Sequence, residues 1–336
     1  MANATELPRR GEVLVVGSVN MDLIVSVRRH PRPGETVFGH DLRQALGGKG
    51  ANQVVAAARM GAHVRQIACL GGDAFGDILR ETLSSYGARL LARAGESDQP
   101  SGVAVVAVAE NGENMIVVIP GANARLAPSD IDPEAVAAAD VILAQGEVPA
   151  AAVAHALGLP RKPGSRAILN ASPVTLEVRE LVRLHDIVIV NEHELCELSG
   201  VEPASVWRDD GAPDTASIAD AIGRLRRDAD QAAIVTLGRW GVLALTDGNL
   251  LYVPGHAVPV VDTTGAGDCF AGAFAAGLAN GLSFDAALQL ANGAAALSVQ
   301  KPGAAPSMPS FTEAVAARTS LAAGMPESSE GLQSGE

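Results

Sequence analysis

Runs of unbroken apolar residues punctuate this chain, and between them apolar positions recur with helical spacing. Glu12 to Gly17 (EVLVVG) is continuously apolar rather than alternating, the pattern of a strand buried on both faces. Further strands are predicted at Val64 to Leu70, Val141 to Ala144, Ala167 to Asn170, Ile187 to Val190 and Ala233 to Leu237. Helical spacing predicts helices over Val54 to Met60, Asp77 to Tyr86, Ala150 to Leu157 and Val174 to Leu184. It predicts three more over Ser217 to Arg227, with Ser217 as N-cap, Ala266 to Asn280 and Phe284 to Val299. Strands alternating with helices predict an α/β fold, a doubly wound and mostly parallel sheet with helices on both faces.

Two segments break that rhythm. Leu23 to Val27 and Glu35 to Leu46 flank a turn at Pro31-Arg32-Pro33-Gly34. Gly102 to Val108 and Asn114 to Ile119 flank Glu110-Asn111-Gly112-Glu113, and Asn-Gly between apolar runs is a strong hairpin signal. The two predict a small sheet set apart from the main one, a lid with strands from about 21–46 and 101–120. Such a lid could cover a site or pair with another subunit. Gly241 to Thr246 and Leu251 to Val253 predict a further hairpin, and Glu202 to Thr215 an exposed insertion. With no boundary between two cores in view, the expectation is one domain over 11–315, with disordered tails at 1–10 and 325–336.

Composition narrows the class. Aromatic residues are only 3% of the chain, so Ala, Val and Leu must build the core. The net charge of −13 argues against nucleic acid or an anionic membrane as partner, while leaving room for a locally positive anion site. Cys69, Cys196 and Cys269 lie far apart with no metal-ligand spacing, which suits a reducing cytoplasm. The first ten residues lack an apolar signal core, and no run is long enough to span a bilayer. A cytoplasmic protein is expected.

The most informative stretch is Val260 to Phe270 (VVDTTGAGDCF), a strand, a Gly/Thr turn and the start of a helix. Small residues there let a ligand approach the backbone, whose N–H groups and helix dipole favour an anion. Asp268 stands in this corner, with a pKa expected to be lowered by nearby N–H groups, ready to accept a proton. A phosphate cradle beside a base suggests phosphoryl transfer to a hydroxyl; a capped helix is the plain alternative. Leu46 to Gln53 (LGGKGANQ) is a second glycine turn opening a helix. It fails the Walker A pattern, because Arg43 replaces the first Gly and Gly50 follows the Lys. Lys49 and Asn52 favour a ligand role over a tight structural turn. Polar residues recur at strand ends, where one crevice of a parallel sheet collects ligands: Asn20 and Asp22, Glu147, Asn191 with Glu194, Thr236 with Gly238, and Asp262 to Asp268. Asn191 and Glu194 supply hard oxygen ligands suited to Mg²⁺, or alternatively an acidic helix start. Thr236 to Gly241 could face a nucleotide.

These motifs together resemble the ribokinase-like (PfkB) family of sugar kinases over about residues 11–315. The resemblance rests on Asp262-Thr263-Thr264-Gly265-Ala266-Gly267-Asp268 and Gly47-Gly48-Lys49-Gly50-Ala51-Asn52-Gln53. Gly17-Ser18-Val19-Asn20-Met21-Asp22, Pro33-Gly34-Glu35-Thr36, Gly112-Glu113-Asn114 and Gly121-Ala122-Asn123 fit it too, as do Gln145-x-Glu147 and Asn191-x-x-Glu194. It implies ATP-dependent phosphorylation of a sugar's primary hydroxyl, D-ribose at O5 foremost. Asp268 would be the base and the backbone of Gly265, Ala266 and Gly267 the anion hole. Asn20, Asp22, Gly48, Lys49, Asn52 and Glu147 would hold the sugar. Asn191 and Glu194 would manage Mg²⁺ and phosphate, and Thr236, Gly238, Gly241, Gly267 and Asn292 would line the ATP. A K⁺ site would draw on Asp262, Thr264, Ser298, Lys301, Gly303 and Ser307, several through backbone carbonyls. The resemblance also implies a homodimer through the lid strands.

Three positions depart from the family pattern. Cys269 replaces a Ser or Thr and suggests packing, Trp240 is bulky beside the expected nucleotide, and Lys301 sits in the cation segment. The alternatives are a sibling kinase for another sugar or a nucleoside, and a non-catalytic sugar or nucleotide sensor. Few aromatic residues disfavour a base-stacking pocket, and a sensor would not need Asp268 beside the glycine turn.

Overall fold

A computed structural model of the chain describes residues 9–91 and 93–322. The first part runs β1 (Glu12–Val16), β2 (Asn20–Val27), β3 (Gly39–Gly47), α1 (Lys49–Arg59), β4 (His63–Ile67), β5 (Cys69–Gly71) and α2 (Ala74–Ser85). Next come β6 (Arg89–Leu90), β7 (Arg93–Ser97), β8 (Gly102–Ala109), β9 (Asn114–Ile119), α3 (Pro133–Ala138), β10 (Val141–Gln145), α4 (Ala150–Gly158) and β11 (Arg166–Asn170). Then follow α5 (Leu176–Val182), β12 (Ile187–Asn191), α6 (Glu192–Ser199), α7 (Thr215–Leu225) and β13 (Ala232–Thr236). The last elements are β14 (Gly241–Thr246), β15 (Asn249–Pro254), α8 (Ala266–Ala279), α9 (Phe284–Ser298) and α10 (Phe311–Ala322).

Nine strands form the main sheet in the order β15-β14-β13-β12-β11-β10-β1-β4-β6, parallel except for the antiparallel pairs β13–β14 and β14–β15. The continuous apolar runs have the expected cause. Successive side chains of a strand point to opposite faces, and each face is covered by helices. Val13 and Val15 join α1, α8 and α9 in one core layer, while Leu14 and Val16 join α4 to α7 in the other. From β1 the chain winds outward to β4 and β6, then returns to β10 on β1's other side. That reversal opens a crevice at the carboxyl ends of β1 and β10, where open α/β sheets bind ligands.

The lid is a separate four-stranded sheet in the order β3-β2-β8-β9, with both predicted hairpins paired antiparallel and β2 parallel to β8. Several local expectations need correction. Helix α1 begins at Lys49 rather than Val54, so Lys49, Asn52 and Gln53 are helical. The run from Val64 to Leu70 divides at Ala68, and β5 pairs with β7 outside the main sheet. Asp214, not Ser217, caps α7, its carboxylate accepting from the N–H groups of Ala216 and Ser217 at 3.1 and 3.2 Å. The segment from Glu202 to Thr215 is not wholly exposed, because Val206 is buried. Helices α3 and α10 were not expected. Residues 1–8 and 325–336 lie outside the described residues, and Arg9 is tied down by Asp140 at 2.8 Å. No helix among the described residues is long and apolar enough to cross a membrane.

Candidate active site

The scarcity of aromatic side chains shapes the site. Helix α8 (AGDCFAGAFAAGLA) and helix α1 (KGANQVVAAAR) face each other through small residues, and a Cβ on Gly272 would lie 2.4 Å from the Gln53 carbonyl oxygen. Backbones this close bring the first turns of the two helices together. Asp268, in the first turn of α8, therefore meets two amides from α1. Asn52 Nδ2 donates to Asp268 Oδ2 and Gln53 Nε2 to Oδ1, both at 3.0 Å. Asp268 is buried at 7% exposure, and burial, the largest influence, raises its pKa. The Lys49 ammonium and the Asn52 and Gln53 amides oppose that rise, and the Glu147 carboxylate adds to it. This reverses the expected lowering: side-chain amides rather than backbone N–H groups hold the carboxylate, and they do not outweigh desolvation.

Gly265 caps α8 in the left-handed conformation (φ 75°), where only glycine is unstrained, and it packs against Ala304. A Cβ on Gly267 would meet nothing within 4 Å, so that position faces open space. The Ala266 N–H is taken by the Thr263 carbonyl at 3.2 Å, a correction to the three-residue anion hole. Among the described residues, the Gly267 and Asp268 N–H groups have no intramolecular acceptor.

A cleft of about 200 Å³ runs over this turn, with Lys49, Gly265, Ala266, Gly267 and Asp268 on one side. Asn191 and Thr236 line it from the ends of β12 and β13, and Glu194 from the first turn of α6. Thr263, from the stretch Asp262 to Asp268, also lines it, as do Asn170, Ser172, Ile189 and Val190, which were not picked out from the sequence as site residues. Asn170 carried a usable signal, a polar residue closing an apolar strand. Asn191 and Glu194 form a reciprocal capping box, each side chain bonding the other's backbone N–H at 2.8 Å. The acidic helix start is thus observed, and since one Glu194 oxygen serves the cap, the other is not used by it.

The switch point gathers Ser18, Asp22, Lys49 and Glu147. Glu147 accepts from Ser18 Oγ at 2.5 Å and from the Lys49 N–H at 2.9 Å. Asp22 lies over Gly47, where any Cβ would be 2.0 Å from its carboxylate. Its pKa is pushed up to about 7, by burial first and then by Glu147 and Asp268. Burial pulls the Lys49 ammonium down, but Asp268, Glu147 and Glu194 together raise it. Gly48 turns the chain into α1 at φ 85°. Asn20 sits beneath, its Oδ1 accepting from Asn123 Nδ2 at 2.7 Å. The Asn52 Oδ1 and Asp22 Oδ1 atoms are buried without a hydrogen-bond partner, as atoms awaiting a polyhydroxylated ligand would be.

Gly238, Gly241 and Asn292 do not line the cleft. Gly241 is explained by its own hairpin, since a Cβ there would strike the Val253 carbonyl, and Asn292 Nδ2 bonds the Pro254 carbonyl at 2.8 Å. Trp240 packs onto the second core layer beneath the Arg239 guanidinium and does not line the cleft either. The two cation segments do meet. Asp262 accepts from the Gly303 N–H at 2.8 Å and from the Thr264 N–H and Oγ1 at 2.9 and 2.6 Å. Ser298 and Ser307 hydroxyls bond the carbonyls of Ala295 and Ala304, both at 2.8 Å, and the Lys301 ammonium turns away toward Glu313 at 3.6 Å. Cys269 is fully buried and its thiol is pushed up to about 12 by burial, in keeping with packing.

Comparison with known proteins agrees with this geometry. The family model described as pfkB family carbohydrate kinase matches residues 10–310. The chain is 37% identical over 306 residues to ribokinase from Haemophilus influenzae, covering 90% of this chain and 97% of that one. The solved structure of Arabidopsis thaliana ribokinase complexed with ribose and ATP has a TM-score of 0.80 and 32% identity, covering 92% of this chain and 99% of that chain. Ribokinase from Cryptococcus neoformans var. grubii in complex with ADP has a TM-score of 0.79 and 32% identity, covering 93% and 99%.

Proposed function

The chain belongs to the pfkB family of carbohydrate kinases, and we propose that it transfers the γ-phosphoryl group of ATP to O5 of D-ribose, giving D-ribose 5-phosphate and ADP. The observation that carries the reading is Asp268, a buried carboxylate with an amide on each oxygen, at the glycine-headed start of α8. Its remaining lone pairs take the proton from the ribose O5 hydroxyl as that oxygen attacks phosphorus. The free N–H groups of Gly267 and Asp268, with the helix dipole, meet the charge on the transferring group. Positioning and electrostatics supply most of the catalysis in such a transfer.

We assign the sugar to Asn20, Asp22, Gly48, Lys49, Asn52 and Glu147, where the unpaired Oδ1 atoms of Asp22 and Asn52 accept from hydroxyls and the Lys49 ammonium donates. The nucleotide phosphates lie along Asn191, Glu194 and Thr236. Glu194, with one carboxylate oxygen not used by the cap, would help hold Mg²⁺, which would supply charge neutralisation to the phosphates. K⁺ would be held where Asp262 and Thr264 meet the segment of Ser298, Lys301, Gly303 and Ser307. The kinase domain spans 11–315, a homodimer forms through the lid, and the protein works in the cytoplasm. ADP release across ribose, deoxyribose, fructose and adenosine tests the substrate, with ribose expected to lead; preference for adenosine would overturn the assignment. Asp268→Asn should lower kcat by at least ~10²-fold while ribose binding is largely kept. Near-normal turnover in that variant would remove Asp268 from the role of base.

A further inference from the structure

Two fully buried amides, Gln53 and Gln145, stand behind Asp268 and do not line the cleft. Gln53 Nε2 spends one hydrogen on Asp268 Oδ1 and the other on Asn170 Oδ1, both at 3.0 Å. Its carbonyl oxygen must then face away, and there it accepts from Gln145 Nε2 at 2.6 Å. Each orientation follows from the last. An ionised carboxylate only accepts, so Gln53 must present its NH₂ group, and Gln145 must in turn present its own. Reversing Gln53 would set its oxygen against those of Asp268 and Asn170. The cost of this polarity is visible at the far end, where Gln145 Oε1 is buried without a hydrogen-bond partner. A core built for stability alone would place an apolar side chain there.

We propose that Gln145 and Gln53 form a directional amide relay that positions the Asp268 carboxylate and keeps it a proton acceptor. Both are positioning residues acting through Asp268, so the proposal rests on Asp268 being the base. Asn170 lines the cleft and shares the Gln53 donor, which ties the base to the phosphate side of the site. The other titratable groups around Asp268 are Lys49, Glu147, Asp22 and the Cys269 thiol, all unaltered by substitutions at 53 and 145.

The test is kcat and the KM for ribose against pH for the wild type, Gln53→Met, Gln145→Met and the double variant. Losing a donor disfavours the ionised base, so the ascending limb of kcat should move to higher pH, further in Gln53→Met than in Gln145→Met. Turnover at neutral pH should fall on the order of tenfold with the KM for ribose little changed. In the Gln53→Met background Gln145→Met should add no further shift, because its path to Asp268 is already cut. An unmoved limb in folded Gln53→Met, or additive shifts in the double variant, would overturn the relay. Should the variants not fold, ¹⁵N-labelled wild type decides. The Gln53 side-chain NH₂ signals should titrate with the limb, and flat signals would overturn the proposal. A turnover that still requires Asp268 with unmoved limbs removes only the relay, whereas active Asp268→Asn removes the base itself.

Discussion

Asp22 shows at residue scale how the site is maintained against stability. Its folded pKa of about 7 exceeds the ordinary 3.8, because burial and the neighbouring Glu147 and Asp268 carboxylates disfavour its charge. The folded state therefore holds a proton that the unfolded chain releases, and stability contributed by this group falls as pH rises between those two values. Asp22→Asn should raise the melting temperature at pH 8, with the gain shrinking toward pH 4, as differential scanning fluorimetry across pH would show; a pH-independent difference would contradict the account. That Asp268, Lys49 and Glu194 meet at one cleft was readable in advance, from their types and their motif neighbours. The direction of the Asp268 shift was not, because it depends on depth and on which groups fold against it. Gln53 stood inside a recognised motif, but its partner Asn170 is 117 positions away.

At the scale of elements, the packing of α1 on α8 sets the reach between base and amides. Gly272 lies one turn after Asp268, and a methyl group there must push the Gln53 backbone away. Gly272→Ala should cost ~1–3 kcal/mol by overpacking, more than helix propensity returns, and should lower kcat as the amides withdraw; urea unfolding and steady-state kinetics would measure both. Gly267→Ala should do the opposite for stability. Its Cβ has free space, and the gain in helix propensity is up to ~1 kcal/mol. The methyl group would nevertheless occupy the phosphate cleft, so turnover should fall in an enzyme that melts no lower than wild type. The early start of α1 escaped sequence reading because two glycines and a lysine weaken the helical signal, while the contacts that hold that turn come from Ser18 and Glu147.

For the whole molecule, the open feature is the lid. Strand β9 forms one edge of its sheet, and Met115 to Ile119 are all exposed, from 45% to 62%. A long apolar edge with unpaired backbone groups invites a second chain, the basis for the proposed dimer. Ile116→Lys with Val117→Lys, one on each face of the strand, should shift the protein from dimer to monomer in analytical ultracentrifugation while leaving the melting transition cooperative. A wild type that is monomeric at micromolar concentration would dismiss the lid as an interface.

Taken alone, the amino-acid order determined the βα rhythm, the two lid hairpins, the doubly wound class and the two glycine motifs. These are local: strand and helix periods, Asn-Gly turns and motif spacing are written within a few residues of one another. The tertiary structure decided strand order, and with it the switch point where Ser18 meets Glu147 across 129 positions. It also decided which polar residues face the cleft, how far burial lifts Asp22 and Asp268, and that two distant glutamines stand beneath the base. Desolvation and hydrogen-bond direction are properties of neighbours in space, and the spacing of residues along the chain does not encode them.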